Sequence, residues 1–185
     1  FVVREPTIQA VLPSVQKTFW TNVFGPIFCG KTLLAKSLCA ELHLRPFWIR
    51  FHGKSGDVAN LLLQRGLLEI SDATNTSSLN DICECVAIRL KDTNCLVLDD
   101  SPELAQNLDL TATLAALGHA CERHGARLIS TSTFQLPQAV LTHFANPPQN
   151  IASPPFEISE CAALLRAFGA AEDVVARCAP LVSVT

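Results

Sequence analysis

Methionine is absent from all 185 residues, even at position 1. The chain is therefore expected to be cut from a larger protein, whose sensor or effector modules lie outside it. Basic runs are missing as well: 14 Lys and Arg stand against 17 Asp and Glu, for a formal net charge of -3. Nucleic acids are held mainly through clustered positive charge, so no direct nucleic-acid partner is expected. No apolar stretch approaches the roughly 20 residues that span a bilayer, and no signal peptide is visible, so no membrane partner is expected. Internal repeats and low-complexity tracts are also lacking. Cysteine, by contrast, is plentiful: Cys29, Cys39, Cys83, Cys85, Cys95, Cys121, Cys161 and Cys178. Metal spacing is what these cysteines lack. Cys83-Glu84-Cys85 is the only close pair, it is not C-x-x-C, and no second cluster or spaced His pair accompanies it. Several fall on apolar faces, where Cys acts as a small hydrophobe. The composition, 49% hydrophobic and 17% charged, allows a sizeable core. The length suits one α/β domain with the start of a second.

The stretch Gly25-Pro26-Ile27-Phe28-Cys29-Gly30-Lys31-Thr32 fits G-x-x-x-x-G-K-[ST], the phosphate-cradling P-loop. Its surroundings fit too. Residues 19–24 form a short run rich in aromatic and β-branched residues and predict a strand. Residues 32–43 carry Leu34, Ala35, Leu38, Cys39 and Leu42 at helical spacing. Gly25 and Gly30 lack Cβ, so the backbone can turn and approach a ligand closely. The N–H groups of Phe28, Cys29, Gly30, Lys31, Thr32 and Leu33, at a helix N-terminus, would then face phosphates. Lys31 would place its ammonium on the β/γ-phosphates, and the Thr32 hydroxyl would ligate Mg²⁺. Cys29 inside the loop could make nucleotide binding thiol-sensitive, though an inert loop residue is the simpler reading. A nucleotide site of this kind, with thiols kept reduced, points to the cytoplasm.

A second landmark is the apolar run Asn94-Cys95-Leu96-Val97-Leu98 ending in Asp99-Asp100. This is how a buried parallel strand reads when it reaches a ligand face. Asp99 suits the Walker B role, holding the Mg²⁺ shell opposite Thr32. Asp100 is placed to orient or deprotonate an attacking water. Successive strand residues point to opposite faces, so both acids can serve only if the strand ends there; Ser101-Pro102 suits such an ending. A further strand over 127–133 ends in hydroxyls, of which Thr131 and Ser132 could sense a terminal phosphate or be plain strand-end residues.

The remaining elements follow from periodicity. A helix is expected over 7–17, with Arg4 and Glu5 as surface charges at its start. A strand over 45–51 has Phe47, Trp48 and Ile49 as its core. A turn over 53–56, a helix over 57–70 and a polar loop over 71–78 come next. Helices over 79–91 and 108–124 follow, the second stopped by Gly125, with His119 and His124 near its end. A short helix over 138–144 and an edge strand between Pro147-Pro148 and Pro154-Pro155 precede a change of composition at Ser159. Ser159 is the expected N-cap of a helix with Cys161, Leu164, Leu165 and Phe168 inward and Gly169 as its stop. A last helix over 171–178 ends before Pro180.

Taken in order, Val2-Val3-Arg4-Glu5, the P-loop, the run into Asp99-Asp100, residues 128–133, residues 156–168 and Ala179-Pro180-Leu181 resemble one family. It is the signal-transducing (STAND) P-loop NTPases, especially the NB-ARC or apoptotic-ATPase group, and the resemblance spans nearly the whole chain. It implies an α/β three-layer sandwich with a parallel sheet in the order 5-1-4-3-2 over 1–158, then the start of a small helical lid over 159–185. It also implies that Val3 and Arg4 lie near the adenine, that Thr131 and Ser132 form the sensor strand, and that Pro180 packs on the base. Two departures stand out: Thr133 replaces the Arg that usually ends the sensor motif, and Cys178-Ala179 replaces a Gly-containing pair before Pro180. The function implied is an ATP/ADP-binding switch module of a larger regulatory, signalling or defence protein, with slow Mg²⁺-dependent ATP hydrolysis. Other domains of that protein, and like protomers in the active state, are the implied partners. Two other classes stay open: a turnover ATPase of the ring-forming AAA type or a small P-loop kinase, and a scaffold that binds nucleotide without hydrolysing it.

Overall fold

The computed structural model describes residues 4–51 and 78–182. Their strands are β1 Trp20–Phe24, β2 Arg45–Arg50, β3 Asn94–Ser101, β4 Arg127–Ser132 and β5 Gln149–Ala152. They make a five-stranded sheet in the order β2-β3-β4-β1-β5, with every pairing parallel. Read from the other edge, this is the expected 5-1-4-3-2. The helices are α1 Glu5–Val15, α2 Lys31–Glu41, α3 Leu79–Leu90, α4 Leu108–His124, the short α5 Gln138–Leu141, α6 Ile158–Ala167 and α7 Glu172–Val182. The expected turn over 53–56, the helix over 57–70 and the loop up to residue 77 lie outside the described residues.

Parallel strands need crossovers, so helices cover both faces of the sheet. The strand period of two divides the core accordingly. On one face, Cys95, Val97 and Ile129 meet Ala35 and Cys39 of α2, while Val23 and Ile151 meet Ile8, Val15, Leu34 and Leu38. On the other, Leu96, Leu98, Leu128 and Trp20 pack with Val86, Leu90, Leu114 and Leu117 of α3 and α4. Each such fully buried aliphatic side chain contributes about 1.5–3 kcal/mol. β3 is thus apolar on both faces, which is why its sequence reads as an unbroken run.

Helix ends follow local chemistry. Asn107 caps α4 by accepting from the Leu110 N–H, and Gly125 stops it at φ 67°. Ser78 caps α3 in the same way, through the Asp81 N–H. Near the end of α4, Glu84 of α3 takes both Arg123 and His124. Three expectations need correction. The N-cap of α6 is Glu157 rather than Ser159; its side chain and that of Glu160 form a reciprocal capping box. Helix α7 runs through Pro180 to Val182. Proline forgoes its own i→i−4 bond and crowds the carbonyl four residues back, yet the helix continues past it to its end at Val182. In β2 only Ile49 is buried, while Phe47 and Trp48 are half-buried, because β2 is the end strand of the sheet.

Among the described residues, no helix is long and apolar enough to cross a membrane.

Candidate functional site

The loop between β1 and α2 turns through three positive-φ residues: Gly25 at 153°, Phe28 at 67° and Gly30 at 81°. Such turns aim successive backbone N–H groups into one concavity, a nest suited to anions. Gly30 is required twice over. Its φ is left-handed, and a Cβ there would lie 2.3 Å from Cζ of Phe156. Gly30→Ala is expected to destabilise the fold by about 1–3 kcal/mol through overpacking, measured by urea unfolding followed by tryptophan fluorescence. Phe28 adopts the same region without glycine's freedom, at a cost of about 1–2 kcal/mol, and its side chain is 91% exposed.

Lys31 Nζ donates to its own loop, to the carbonyls of Gly25 (2.9 Å) and Pro26 (2.6 Å). The next residue, Thr32, donates through Oγ1 to Oδ1 of Asp99 at 2.8 Å. Thr131 Oγ1 donates to the same oxygen at 2.8 Å and accepts from the Asp100 N–H at 2.9 Å. Arg50 Nε stands 3.3 Å from the other oxygen, Oδ2. Asp99 is 3% exposed, and a buried carboxylate persists only with such partners. One threonine hydroxyl therefore ties the two acids together.

The two acids share a site by a route the sequence reading missed. β3 does not stop at Asp100 but continues to Ser101. Its register on β4 slips between Leu98 and Ser101, and Asp100 sits at φ 59°. This is a bulge, with the extra residue in the left-handed region that Asp tolerates better than most. The bulge cancels the alternation that would have sent Asp100 to the far face.

Both acids then line one cleft of ≈ 790 Å³. Its floor is Gly30, Lys31, Thr32, Leu33 and Lys36, with Arg50, Thr131 and Thr133 beside the acids. Its other wall is apolar: Ile27, Phe28, Phe156, Leu164, Ala167 and Phe168. The oxygen donors of Thr32 and Asp99 form the hard, adjacent pair that Mg²⁺ prefers. A phosphate chain on the nest and a flat apolar group against the aromatic wall would together fill this cleft.

Other expected site residues fall elsewhere. Ser132 is turned to the opposite face, donating to Asn22 Oδ1 at 3.2 Å and to the Phe134 carbonyl. Strand alternation sends it there and brings Thr133 into the cleft instead. Cys29 is buried behind the loop rather than facing the cleft. Pro180 does not line the cleft. Val3 lies outside the described residues.

Arg4 overturns the surface-charge expectation outright. It is 0% exposed. Its Nη1 donates to the Cys29 carbonyl and to Ser153 Oγ, both at 3.0 Å. Its Nη2 donates to the carbonyls of Pro154 (2.7 Å) and Pro155 (3.2 Å). Its Nε faces Glu160 Oε1 at 3.3 Å, and the guanidinium lies 4.7 Å from the Phe156 ring centre. Only a planar five-donor cation can serve so many acceptors at once. It joins the loop, the segment after β5 and helix α6 in one buried hub.

Sequence reasoning missed Arg50, Phe156 and the orientation of Phe168, and it noted Thr133 only as a departure from the family's sensor motif. Phe168 completes the apolar stripe of α6, which pointed to the core; it is 85% exposed and turned to the cleft wall. Arg50 and Phe156 carry no local signal, since each matters only through strands and loops distant in sequence.

Burial pushes Cys83 up to about 11 and Cys121 up to about 12. Cys39 and Cys95 lie with Sγ atoms 3.7 Å apart, and their shared hydrogen bond lowers Cys39 and raises Cys95.

No family model matches this chain, and no curated protein matches it. Solved structures do. ORC1 of Aeropyrum pernix, in complex with DNA, aligns with TM-score 0.62 at 17% identity, over 98% of this chain and 55% of that one. Domain III of the replication initiator DnaA from Thermotoga maritima aligns with TM-score 0.61 at 16% identity, over 97% and 78%. AMPPCP-bound DnaA from Aquifex aeolicus aligns with TM-score 0.56 at 12% identity, over 94% and 54%. At these identities the likeness is one of fold. The chain spans about half the length of most of these neighbours. It has the fold of a P-loop NTPase domain, of the architecture seen in the replication initiator DnaA and in ORC1.

Proposed function

We propose that this chain is an ATP/ADP-binding module that acts as a nucleotide-dependent switch within a larger protein, with slow Mg²⁺-dependent hydrolysis. The observation that carries this reading is the convergence of Lys31, Thr32, Asp99, Asp100 and Thr131 on one cleft beneath a left-handed loop. Thr32 and Asp99 would hold Mg²⁺, which when bound would neutralise phosphate charge. Lys31 would leave its loop carbonyls for the phosphates. Asp100, exposed at the cleft rim, would orient a water. Phe156 and Phe168 would flank the base. Core and α6 would close on a triphosphate and relax on its loss, the order–disorder logic of nucleotide switches.

A turnover ATPase of the AAA type is the second reading, and the DnaA- and ORC-like fold favours it. Those neighbours include proteins bound to DNA, so the expectation of no nucleic-acid partner finds no support from them; it rests on the net charge of -3 and the lack of basic runs. The STAND or NB-ARC assignment, with its regulatory or defence setting and like protomers, rests on the motif resemblance. The boundary near residue 158 rests on the change of composition at Ser159, and the cytoplasmic setting on a nucleotide site whose thiols are kept reduced.

Calorimetric titration with MgATP and MgADP tests the binding proposal. Saturable one-to-one binding is expected, with phosphate release of less than about one per second. No binding of either nucleotide would overturn the proposal; many turnovers per second by the chain alone would favour the ATPase reading.

A further inference from the structure

We propose that Arg50 is a triphosphate-sensing residue: it balances the Asp99 carboxylate across the cleft and passes to the terminal phosphate when a divalent cation takes its place. The inference rests on the nucleotide reading above and goes beyond it, because no phosphate contact has been assigned to β2.

Arg50 ends β2 and is the register partner of Asp99 on β3, so its place beside the carboxylate is fixed by the sheet. The Asp99 carboxylate is divided between two kinds of partner. Oδ1 is filled by the hydroxyls of Thr32 and Thr131, and Oδ2 faces only the Arg50 guanidinium among the described residues. Buried at 4% side-chain exposure, the carboxylate needs a counter-charge; Arg50, at 54%, sits at the water boundary. A pair so lopsided is readily exchanged, since the solvated partner gains little from the contact. A dication bound by Thr32 and Asp99 would supply the missing charge and repel the guanidinium. The released side chain stays in the cleft that it lines. There its planar fork suits a phosphate, with two parallel N–H donors. Lys31 behaves likewise, its ammonium held on loop carbonyls. Two cations of the cleft thus stand on protein oxygens, poised for an anion.

The consequence is selectivity for three phosphates over two, and only with the metal present. Titrating the full 185-residue chain with ATP and ADP, each with Mg²⁺ and with EDTA, tests it. Wild type is expected to prefer MgATP over MgADP and to lose that preference in EDTA. Arg50→Gln is expected to lower the MgATP preference about tenfold, the size of one charge-assisted hydrogen bond, while MgADP affinity holds. Arg50→Lys should restore part of the preference. An unchanged ATP-to-ADP ratio in Arg50→Gln, or an equal loss for both nucleotides, would overturn the proposal and leave the nucleotide reading standing. Wild-type chain that binds neither nucleotide would overturn both.

Discussion

Lys31→Ala is expected to weaken MgATP binding about 100-fold or more, the effect of removing one charged partner of a polyphosphate, roughly 2–5 kcal/mol. The geometry makes this substitution clean. Lys31 is the first residue of α2, and among the described residues its ammonium hydrogen-bonds the carbonyls of Gly25 and Pro26 in its own loop. Losing those contacts exposes two carbonyls at the cleft edge, where water replaces the ammonium. Fold stability should therefore change by no more than about 1 kcal/mol. The measurement is paired: titration with a fluorescent ATP analogue, and urea unfolding of the same sample. Lost binding with an unmoved unfolding midpoint supports the site. Unchanged affinity would mean that the nest does not hold phosphate, and the nucleotide reading would fall with it.

The second large effect is on stability rather than binding. Arg4→Ala is expected to cost about 3–5 kcal/mol, the range for breaking a buried ion pair from one side. Four acceptors besides Glu160 lose a donor: the carbonyls of Cys29, Pro154 and Pro155, and Ser153 Oγ. Ser153 still donates to the Cys29 carbonyl at 3.0 Å, so that group is not wholly orphaned. Among the described residues, Glu160 keeps the Glu157 N–H of its capping box as its one donor. Arg4→Lys should rescue little, because one ammonium cannot reach acceptors on the loop, the post-β5 segment and α6 together. The double variant Arg4→Leu with Glu160→Leu should recover part of the loss, since no unpaired charge is then buried. Urea midpoints with unchanged slopes measure all three. A loss below about 1 kcal/mol for Arg4→Ala, the range of exposed pairs, would show that the hub is dispensable.

These two residues also mark what could be read in advance. Lys31 was legible because its chemistry is local: glycine, lysine and threonine are fixed by a spacing of eight residues, and the loop they make is closed by its own backbone. β3 was legible because an unbroken apolar run suits a parallel strand buried on both faces, whereas the sheet order was what the family resemblance implied. Arg4 was not legible from its own surroundings. An arginine beside a glutamate at a helix start looks like solvent-facing charge, and its acceptors lie 25 to 156 residues away. The same distance hid Arg50, whose meaning comes from a strand 49 residues further on, counting from Arg50 to Asp99.

Sequence by itself determined the anion nest, the Lys31 and Thr32 positions, the acid-tipped central strand and the helical periods, because each depends on neighbours within a turn or a strand. Tertiary structure alone decided that Asp100 joins Asp99 through a left-handed bulge, that Ser132 leaves the cleft and Thr133 enters it, and that Arg4 is buried. Those outcomes are set by strand register and by which acceptors converge after folding, and neither quantity is encoded in any short window of the chain.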